Sequence, residues 1–455
     1  MTVEIDTRTD RAPGRLVRPG DRDWDAVRGA FNVLVDQRPE AIALPTDAAQ
    51  VASVVGWARE RGLRITAQTT GHNAGPLGSL DGTVIVNTSA LTGVRVDERV
   101  RQVSVGAATR WREVTPLLAP RGLAGLHGSS PEVGVAGYSL GGGIGWLSRK
   151  HGMQTNAVTA LEVVTADGRL VRADHEHEPD LFWALRGGGG SYGVVTGIDF
   201  EVQPLKELYA GALFFPVERA ADVLHTWTGL LASYPEELTT WASIIHFPPL
   251  PEVPEPVRGR SFIVVLVAFL GDEADGSDLL RPLRALGPVM DSLAVQSPLG
   301  LNRLAMDPEQ PLPFRSTTAL LDRLTPAAIE EVARVGGAGS ALGLVEFRHV
   351  GGALHRAPEG AGARATLPGD IAFLSLGVVP DPAAEPVVRE QLLALEAALL
   401  PERAGDYPNF VMDPADPSAF FDRATWARLR RVKDAYDPDD LFRGNHHVPP
   451  SPTPR

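Results

Sequence analysis

Three glycine clusters, each beside a strand-like segment, constrain this chain more than anything else in its sequence. The first is a turn with a histidine near its centre, Thr69-Thr70-Gly71-His72-Asn73-Ala74-Gly75-Pro76. The second runs from Gly134 to Gly145 (GVAGYSLGGGIG), and the third from Gly187 to Gly193 (GGGGSYG). Glycine reaches φ > 0 and lets backbone N–H groups approach a ligand closely. Successive N–H groups in such turns form anion-binding nests. One cluster alone reads as a tight turn. Three of them point to a cradle for a large, phosphate-bearing cofactor. Thr69, Thr70, Gly71, His72 and Asn73 would form one wall, and Gly134, Gly137, Gly142, Gly143 and Gly145 the other. His72 is the nucleophile placed to hold that cofactor covalently.

The third cluster also matches a familiar fingerprint, because Gly188, Gly190 and Gly193 have G-x-G-x-x-G spacing. In a dinucleotide-binding fold that motif follows a strand and opens a helix, so that a pyrophosphate meets the helix N-terminus. Here the order is reversed. The helix-like DLFWALRG (180–187) precedes it and the strand-like VVTGIDFEV (194–202) follows. A nicotinamide site is therefore not expected.

Composition removes other classes. The net charge of −13 repels polyphosphate, so nucleic acid is not an expected partner. The chain has no cysteine, which excludes disulfides, thiolate catalysis and cysteine-ligated metals. His175-Glu176-His177 sits among acidic residues and reads as an exposed loop, so no metal is expected. The first residues lack an apolar signal-peptide core, and no run of about 18 apolar residues appears. A soluble, cytoplasmic protein without a membrane partner is expected.

Periodicity places these clusters. Residues 41–62 read as a strand and a helix started by Thr46 and Asp47, with Val51, Val54, Val55 and Ala58 on its apolar face. Strands are expected at 63–69, 83–89, 94–97 and 102–108, a helix at 111–118, and a hairpin over 157–174 turning at Asp167-Gly168. After Pro204 long apolar strands (208–217, 239–247, 261–271, 342–352, 371–379) alternate with helices (220–233, 276–286, 325–335, 384–400). That texture predicts an antiparallel sheet backed by helices. A last helix is expected over 419–435.

Five elements, in order, carry a resemblance: the strand–helix opening at 40–62, GHNAG at 71–75, SSPEVGVAGYSLGGGIGWLSRKHG at 129–152, DLFWALRGGGGSYGVVT at 180–196 and YDPDDLFRGNHHVPP at 436–450. The chain resembles the FAD-linked oxidases of the vanillyl-alcohol oxidase superfamily, in the berberine-bridge-enzyme-like branch. The resemblance implies an α+β fold: a two-lobed FAD-binding domain (1–204), an α+β substrate domain (205–404) and a C-terminal return to the first domain (405–455). It implies FAD bonded through its 8α-methyl carbon to the residue matching His72. Many members add a second tether from a cysteine before a proline. Here that residue is Ser130, beside Ser129, so a single tether is expected.

The resemblance also implies that Val133 governs oxygen access, that Gly193 and Val195 pack the adenosine, and that Tyr407 and Asn409 line the flavin ring. Asn445 and His447 match the family's FRxNxN ending, with histidine in place of asparagine. The glycine turn itself is atypical. Members usually carry Arg-Ser-Gly-Gly-His or Arg-Gly-Gly-Gly-His, whereas this chain has Gln68-Thr69-Thr70-Gly71-His72. Thr69 and Thr70 offer hydroxyls as replacement hydrogen-bond donors to the diphosphate.

Flavin oxidation needs a group that takes the substrate's O–H or N–H proton. Glu346, an acid within the apolar strand LVEFRHVGG, is the first candidate. Family members place an active-site acid on the strand before the same Gly-Gly pair. Strand parity puts Arg348 on the face of Glu346, and Val345, Phe347 and His349 on the other. Tyr407 and His349 are the further catalytic candidates, and Trp241, His246 and Tyr138 are candidate pocket residues. The expected activity is an oxidase that passes hydride from an alcohol or amine carbon of a small molecule to FAD, then to oxygen as hydrogen peroxide. A flavin dehydrogenase with another acceptor, or an oxygenating or non-redox flavoprotein, carries the same motifs.

Overall fold

The computed structural model describes residues 14–452. Its first half contains two sheets. One has four strands in the order Arg15–Val17, Ala41–Leu44, Thr83–Asn87, Arg64–Gln68, with the last three parallel. The helix Ala48–Glu60 makes the crossover that parallel neighbours require. Asp47 starts it by accepting from the Gln50 N–H at 2.8 Å, and Val51, Val54, Val55 and Ala58 are fully buried. The second sheet is antiparallel, ordered Val94–Asp97, Gln102–Gly106, Val194–Glu201, Val158–Val164, Leu170–Ala173. Its hairpin turns at Gly168, where φ is 83°. The helix Pro179–Gly188 comes before the strand Val194–Glu201, so the reversed order around the third glycine cluster holds.

Beyond Pro204 a nine-stranded sheet forms, and every registered pair in it is antiparallel. Alternation divides its side chains. Ala242, Ile244, Val345, Phe347 and Phe373 pack on helices Ala220–Leu230, Pro326–Gly336 and Glu385–Leu399 through Trp227, Val332 and Leu395. On the other face Ala212, Trp241, Val264 and Leu266 pack against Trp146 and Leu147 of the first half. The sheet is thus a floor laid between its helices and the glycine loops. This is the α+β arrangement expected from the sequence.

The strand Phe314–Leu321, paired between Ile371–Val378 and Arg403–Gly405, was not expected. Its residues FRSTTALL lack clean alternation, since partners on both sides satisfy its backbone whatever its side chains. The helix expected over 276–286 is two pieces, Glu273–Leu279 and Arg281–Arg284, with Pro282 at the start of the second. The last helix begins later than expected, at Arg423, because Asp422 caps it through the Ala424 and Thr425 N–H groups.

The chain then returns to the first half. The last helix, Arg423–Tyr436, contacts Pro179–Gly188, and Phe442 bridges to Ile65. Lys433 is fully buried there. It donates to the Asp437 carboxylate at 2.5 Å and to the carbonyls of Ser191 and Phe442 at 2.8 Å. A buried ammonium persists only when so fully partnered. Among the described residues no helix is long and apolar enough to cross a membrane.

Candidate active site

The histidine turn leaves the end of the strand Arg64–Gln68. Gly71 has φ 68°, and a Cβ there would stand 2.9 Å from the Cα of Ala30, so no other residue fits unstrained. The His72 ring stacks on Phe31, with centroids 3.9 Å apart and planes 16° from parallel. Its Nδ1 lies 2.7 Å from the Thr70 hydroxyl. Its Nε2 is buried without a partner. Burial, helped by the Arg110 guanidinium, pulls the His72 pKa down to about 4, so the imidazole is neutral at neutral pH.

The second glycine wall is zipped to the segment 109–111. Val133 O accepts from the Trp111 N–H at 3.2 Å, and the Val135 N–H reaches the Thr109 carbonyl at 2.9 Å. Glu132 is buried and receives Arg110 at 2.8 Å and Arg112 at 2.9 Å. Gly134 and Gly137 leave room on this wall. A Cβ at Gly134 would meet only Thr69, at 3.9 Å, and one at Gly137 nothing within 4 Å.

Facing these loops, at the middle of the large sheet, lies a buried charged group. Glu346 is 2 % exposed. Its Oε1 accepts from Arg348 Nε at 2.6 Å and its Oε2 from the Ser243 hydroxyl at 2.9 Å. The Arg348 guanidinium lies over the Trp241 ring at 3.9 Å and reaches across to the Ser129 hydroxyl at 3.2 Å. Trp241 stacks on Trp146, which belongs to the glycine-rich segment, at 3.5 Å. The Asp307 carboxyl, beside Ser129 and near both the Arg348 and Glu346 charges, completes the group. Burial and the Glu346 charge raise its pKa while Arg348 opposes them, and burial dominates.

Comparison with known proteins decides what this cradle holds. The family described as FAD binding domain matches residues 39–174. (R)-6-hydroxynicotine oxidase of Paenarthrobacter nicotinovorans is 27% identical over 463 aligned positions, covering 96% of this chain and 97% of its own. Glucooligosaccharide oxidase of Sarocladium strictum is 34% identical over 41% of this chain and 38% of its own. The crystal structure of 6-hydroxy-D-nicotine oxidase from Arthrobacter nicotinovorans superposes with a TM-score of 0.82 at 25% identity, covering 97% of this chain and 98% of that one. The chain carries an FAD binding domain and is similar along its whole length to FAD-linked oxidoreductases, in keeping with the resemblance read from its motifs. It is an FAD-dependent oxidoreductase.

The residues present fit the cofactor. His72 Nε2 is buried and unpartnered, Gly134 faces Thr69 of the same turn, and a Cβ at Gly134 or Gly137 would meet nothing closer than 3.9 Å. Other expected cofactor contacts are engaged within the protein. The Gly142, Gly143 and Gly145 N–H groups are taken by Ser139 O, the Tyr407 hydroxyl (2.7 Å) and the Ser148 hydroxyl (2.8 Å). A Cβ at Gly145 would stand 1.8 Å from the His127 carbonyl oxygen. In this structure the N–H groups of these three glycines are committed within the protein. Gly193 is similarly pressed against Val163 and Val164, and Val195 is buried in the core below.

Thr69 is likewise engaged within the protein, with Thr88 at 2.6 Å and the Ala107 carbonyl at 3.3 Å. Gln68, where the family has arginine, binds Gln37 and the Gly29 carbonyl. Ser130 accepts from the Glu132 N–H at 3.3 Å.

Asn73 donates to the Pro408 carbonyl at 3.0 Å, and its own carbonyl accepts from Asn445. The C-terminal return therefore clamps the histidine turn. His447 lies 2.9 Å from Asp440, behind that clamp. Asn409 donates to the Tyr138 carbonyl and the Tyr407 hydroxyl, both at 3.0 Å. Burial pushes the Tyr407 phenol up to about 12, so it stays neutral and braces the glycine loop.

His349 is on the helix-side face, opposite Glu346, as parity requires. There the Arg149 guanidinium donates to its Nε2 at 2.7 Å, and burial drops its pKa to about 3. His246 shares that side and binds Ser261 and the Gly336 carbonyl, outside the site. Tyr138 donates to the Leu126 carbonyl within the first half. Sequence reasoning missed Arg110, Glu132, Ser243 and Asp307. Each lies in an unremarkable local pattern, and only long-range packing brings them together.

Proposed function

We propose that the enzyme holds FAD by one covalent bond from His72 and oxidises an amine or alcohol carbon of a small organic molecule, delivering the electrons to dioxygen as hydrogen peroxide. Bound FAD supplies a hydride acceptor. The rest of the chemistry belongs to the chain. Glu346 takes the substrate's N–H or O–H proton. Arg348 and Ser243 fix the orientation of that carboxylate, and Trp241 with Phe410 gives a flat apolar wall around the Arg348 guanidinium. The observation that carries this reading is the placement of Glu346, buried at the centre of the sheet on the face that packs against the glycine-rich segment through Trp146 and Ser129.

The attachment is supported by the unpartnered His72 Nε2 and by serine at 130, which offers no thiolate for a second tether. The small aliphatic Val133, half-buried beside the cradle, supports oxygen as acceptor. The sequence match to (R)-6-hydroxynicotine oxidase runs the length of both chains, whereas that to glucooligosaccharide oxidase covers 41% of this chain; in structure both superpose on nearly all of it. We take the whole-length sequence relative as the guide to substrate, a heterocyclic amine or a similar flat tailoring molecule.

The test has two parts. Denatured, precipitated protein should stay yellow, and His72→Ala should release the flavin. A panel of cyclic amines and benzylic or allylic alcohols should then bleach the flavin anaerobically, and air should restore it with stoichiometric peroxide. Bleaching without reoxidation in air would assign a dehydrogenase instead.

A further inference from the structure

We infer that Arg364 is a cationic contact of the bound cofactor, its guanidinium seated between the second and third glycine clusters as the counter-charge to an anionic group of FAD. The inference rests on the reading that the cradle holds FAD, and not on the bond from His72.

The side chain is anomalous among the buried arginines. Arg348 has a carboxylate, Glu346. Arg149, 5 % exposed, gives all its N–H groups to His349 and to the carbonyls of Leu238, Val350, Tyr234 and Pro235. Arg364 is equally buried, yet among the described residues its guanidinium makes one hydrogen bond, from Nη2 to the Phe420 carbonyl at 3.2 Å. Its Nε is buried without a partner. The Phe421 ring, 4.9 Å from the guanidinium carbon, adds a cation–π contact. Among the described residues no carboxylate acts on it. Burial pulls its pKa to about 10, so it is charged at neutral pH. A buried cation without a counter-ion is strongly unfavourable.

Its surroundings belong to the cradle. A Cβ on Gly142 would stand 3.2 Å from Arg364 Cδ and 3.1 Å from the Tyr407 ring, and one on Gly187 2.3 Å from Arg364 Cβ. Both clusters therefore need glycine where this side chain passes. His446, in the C-terminal return, lies within reach of the Arg364 charge, and its Nε2 is 2.8 Å from the Pro408 carbonyl. Asn73, next to His72, donates to the same carbonyl at 3.0 Å. Asn73 Oδ1 and His446 Nδ1 are buried and unpartnered, as Arg364 Nε is. A line of unpartnered polar groups thus runs from the histidine turn to Arg364, and what meets its cationic end must carry negative charge. FAD has two such groups. The diphosphate is charged throughout, and the ring gains a negative charge when hydride arrives. Either reverses the sign of the Arg364 contribution, unfavourable without cofactor and favourable with it.

Urea unfolding of the full-length protein, made under riboflavin limitation and measured with and without added FAD, tests this. Without FAD, Arg364→Met should unfold at a higher urea concentration than wild type, because a buried unpaired charge is gone. With FAD the order should reverse. ADP and sulfite separate the two anionic groups; sulfite adds to the flavin and leaves a negative charge on its ring. If the diphosphate is the partner, ADP stabilises wild type but not Arg364→Met, and sulfite binding is unchanged. If the ring is the partner, ADP stabilises both alike, and sulfite binds Arg364→Met about tenfold more weakly, as the loss of an adjacent opposite charge implies. Arg364→Lys should keep the wild-type response to the affected probe. Arg364→Gln is a second neutral variant should methionine prevent folding. A neutral variant that lowers both midpoints equally, or that leaves the FAD-loaded midpoint, ADP binding and sulfite binding all at wild-type values, would overturn the inference while leaving FAD in the cradle. Wild type that takes up no FAD would overturn the cofactor reading, and this inference with it.

Discussion

Two glycines of the same cluster should respond to alanine in opposite ways. At Gly145 an added Cβ would lie 1.8 Å from the His127 carbonyl oxygen. Ordinary carbon–oxygen contact needs more than 3 Å, so a backbone segment must move by over an ångström. That segment is held on both sides, by the Gly145 N–H to Ser148 and by His127 Nδ1 to the Gly128 carbonyl. Overpacking of this kind costs about 3 kcal/mol. At Gly137, inside the short helix Val135–Leu140, the same methyl meets nothing within 4 Å. There alanine should stabilise the apoprotein by about 0.5–1 kcal/mol, through helix propensity and a less disordered unfolded chain.

With cofactor the ranking should invert in one respect. Gly137→Ala should load less FAD, because its methyl occupies the space proposed for the cofactor, whereas the Gly145→Ala protein that folds should bind it. Urea unfolding of both apoproteins, with FAD titration by fluorescence quenching, measures each quantity. Destabilisation of the Gly137→Ala apoprotein by more than 1 kcal/mol would refute the open-space argument. Undiminished FAD affinity in that variant would remove Gly137 from the cradle.

Glu346→Gln should lower kcat by about 10²–10⁴, the usual worth of a positioned base, while flavin content, read by absorbance, stays at the wild-type level. Ser130→Cys should create a second tether, so the double variant Ser130→Cys with His72→Ala should keep covalent flavin that His72→Ala alone loses, as intact mass will show. The apoprotein should lose stability as pH falls from 6.5 towards 4. His72 and His127 have folded pKa values pulled down to about 4 by burial, so the unfolded chain binds protons that the folded one refuses. For the fully buried His127 alone this approaches about 3 kcal/mol, and urea midpoints over that pH range check it.

Much of this protein was legible before any coordinates. The helix Ala48–Glu60 announces itself through Asp47 and a 3.6-residue apolar repeat, and the hairpin at Gly168 through its Asp-Gly dipeptide, because caps and turns are contacts between residues a few positions apart. The reversed order of helix and strand around Gly188, Gly190 and Gly193 likewise needed only local patterns. Strand alternation alone put Glu346 and His349 on opposite faces.

What the sequence could not show was where each backbone N–H and each side chain would find its partner. Gly143 and Gly145 look like nest glycines in the sequence, yet their N–H groups go to Tyr407 and Ser148. The strand Phe314–Leu321 lacks an alternating signature because neighbours on both edges define it. Glu132 between two arginines, and Asp307 beside Ser129, depend on segments far apart in the chain. The sequence alone carried the resemblance to FAD-linked oxidases, the FAD-binding domain and the histidine at the turn, since these rest on motifs a few residues long. Tertiary structure decided which glycines face open space, which carboxylates meet Arg348 and which nitrogen of His72 is left free, because hydrogen bonds and burial join residues that the chain keeps apart.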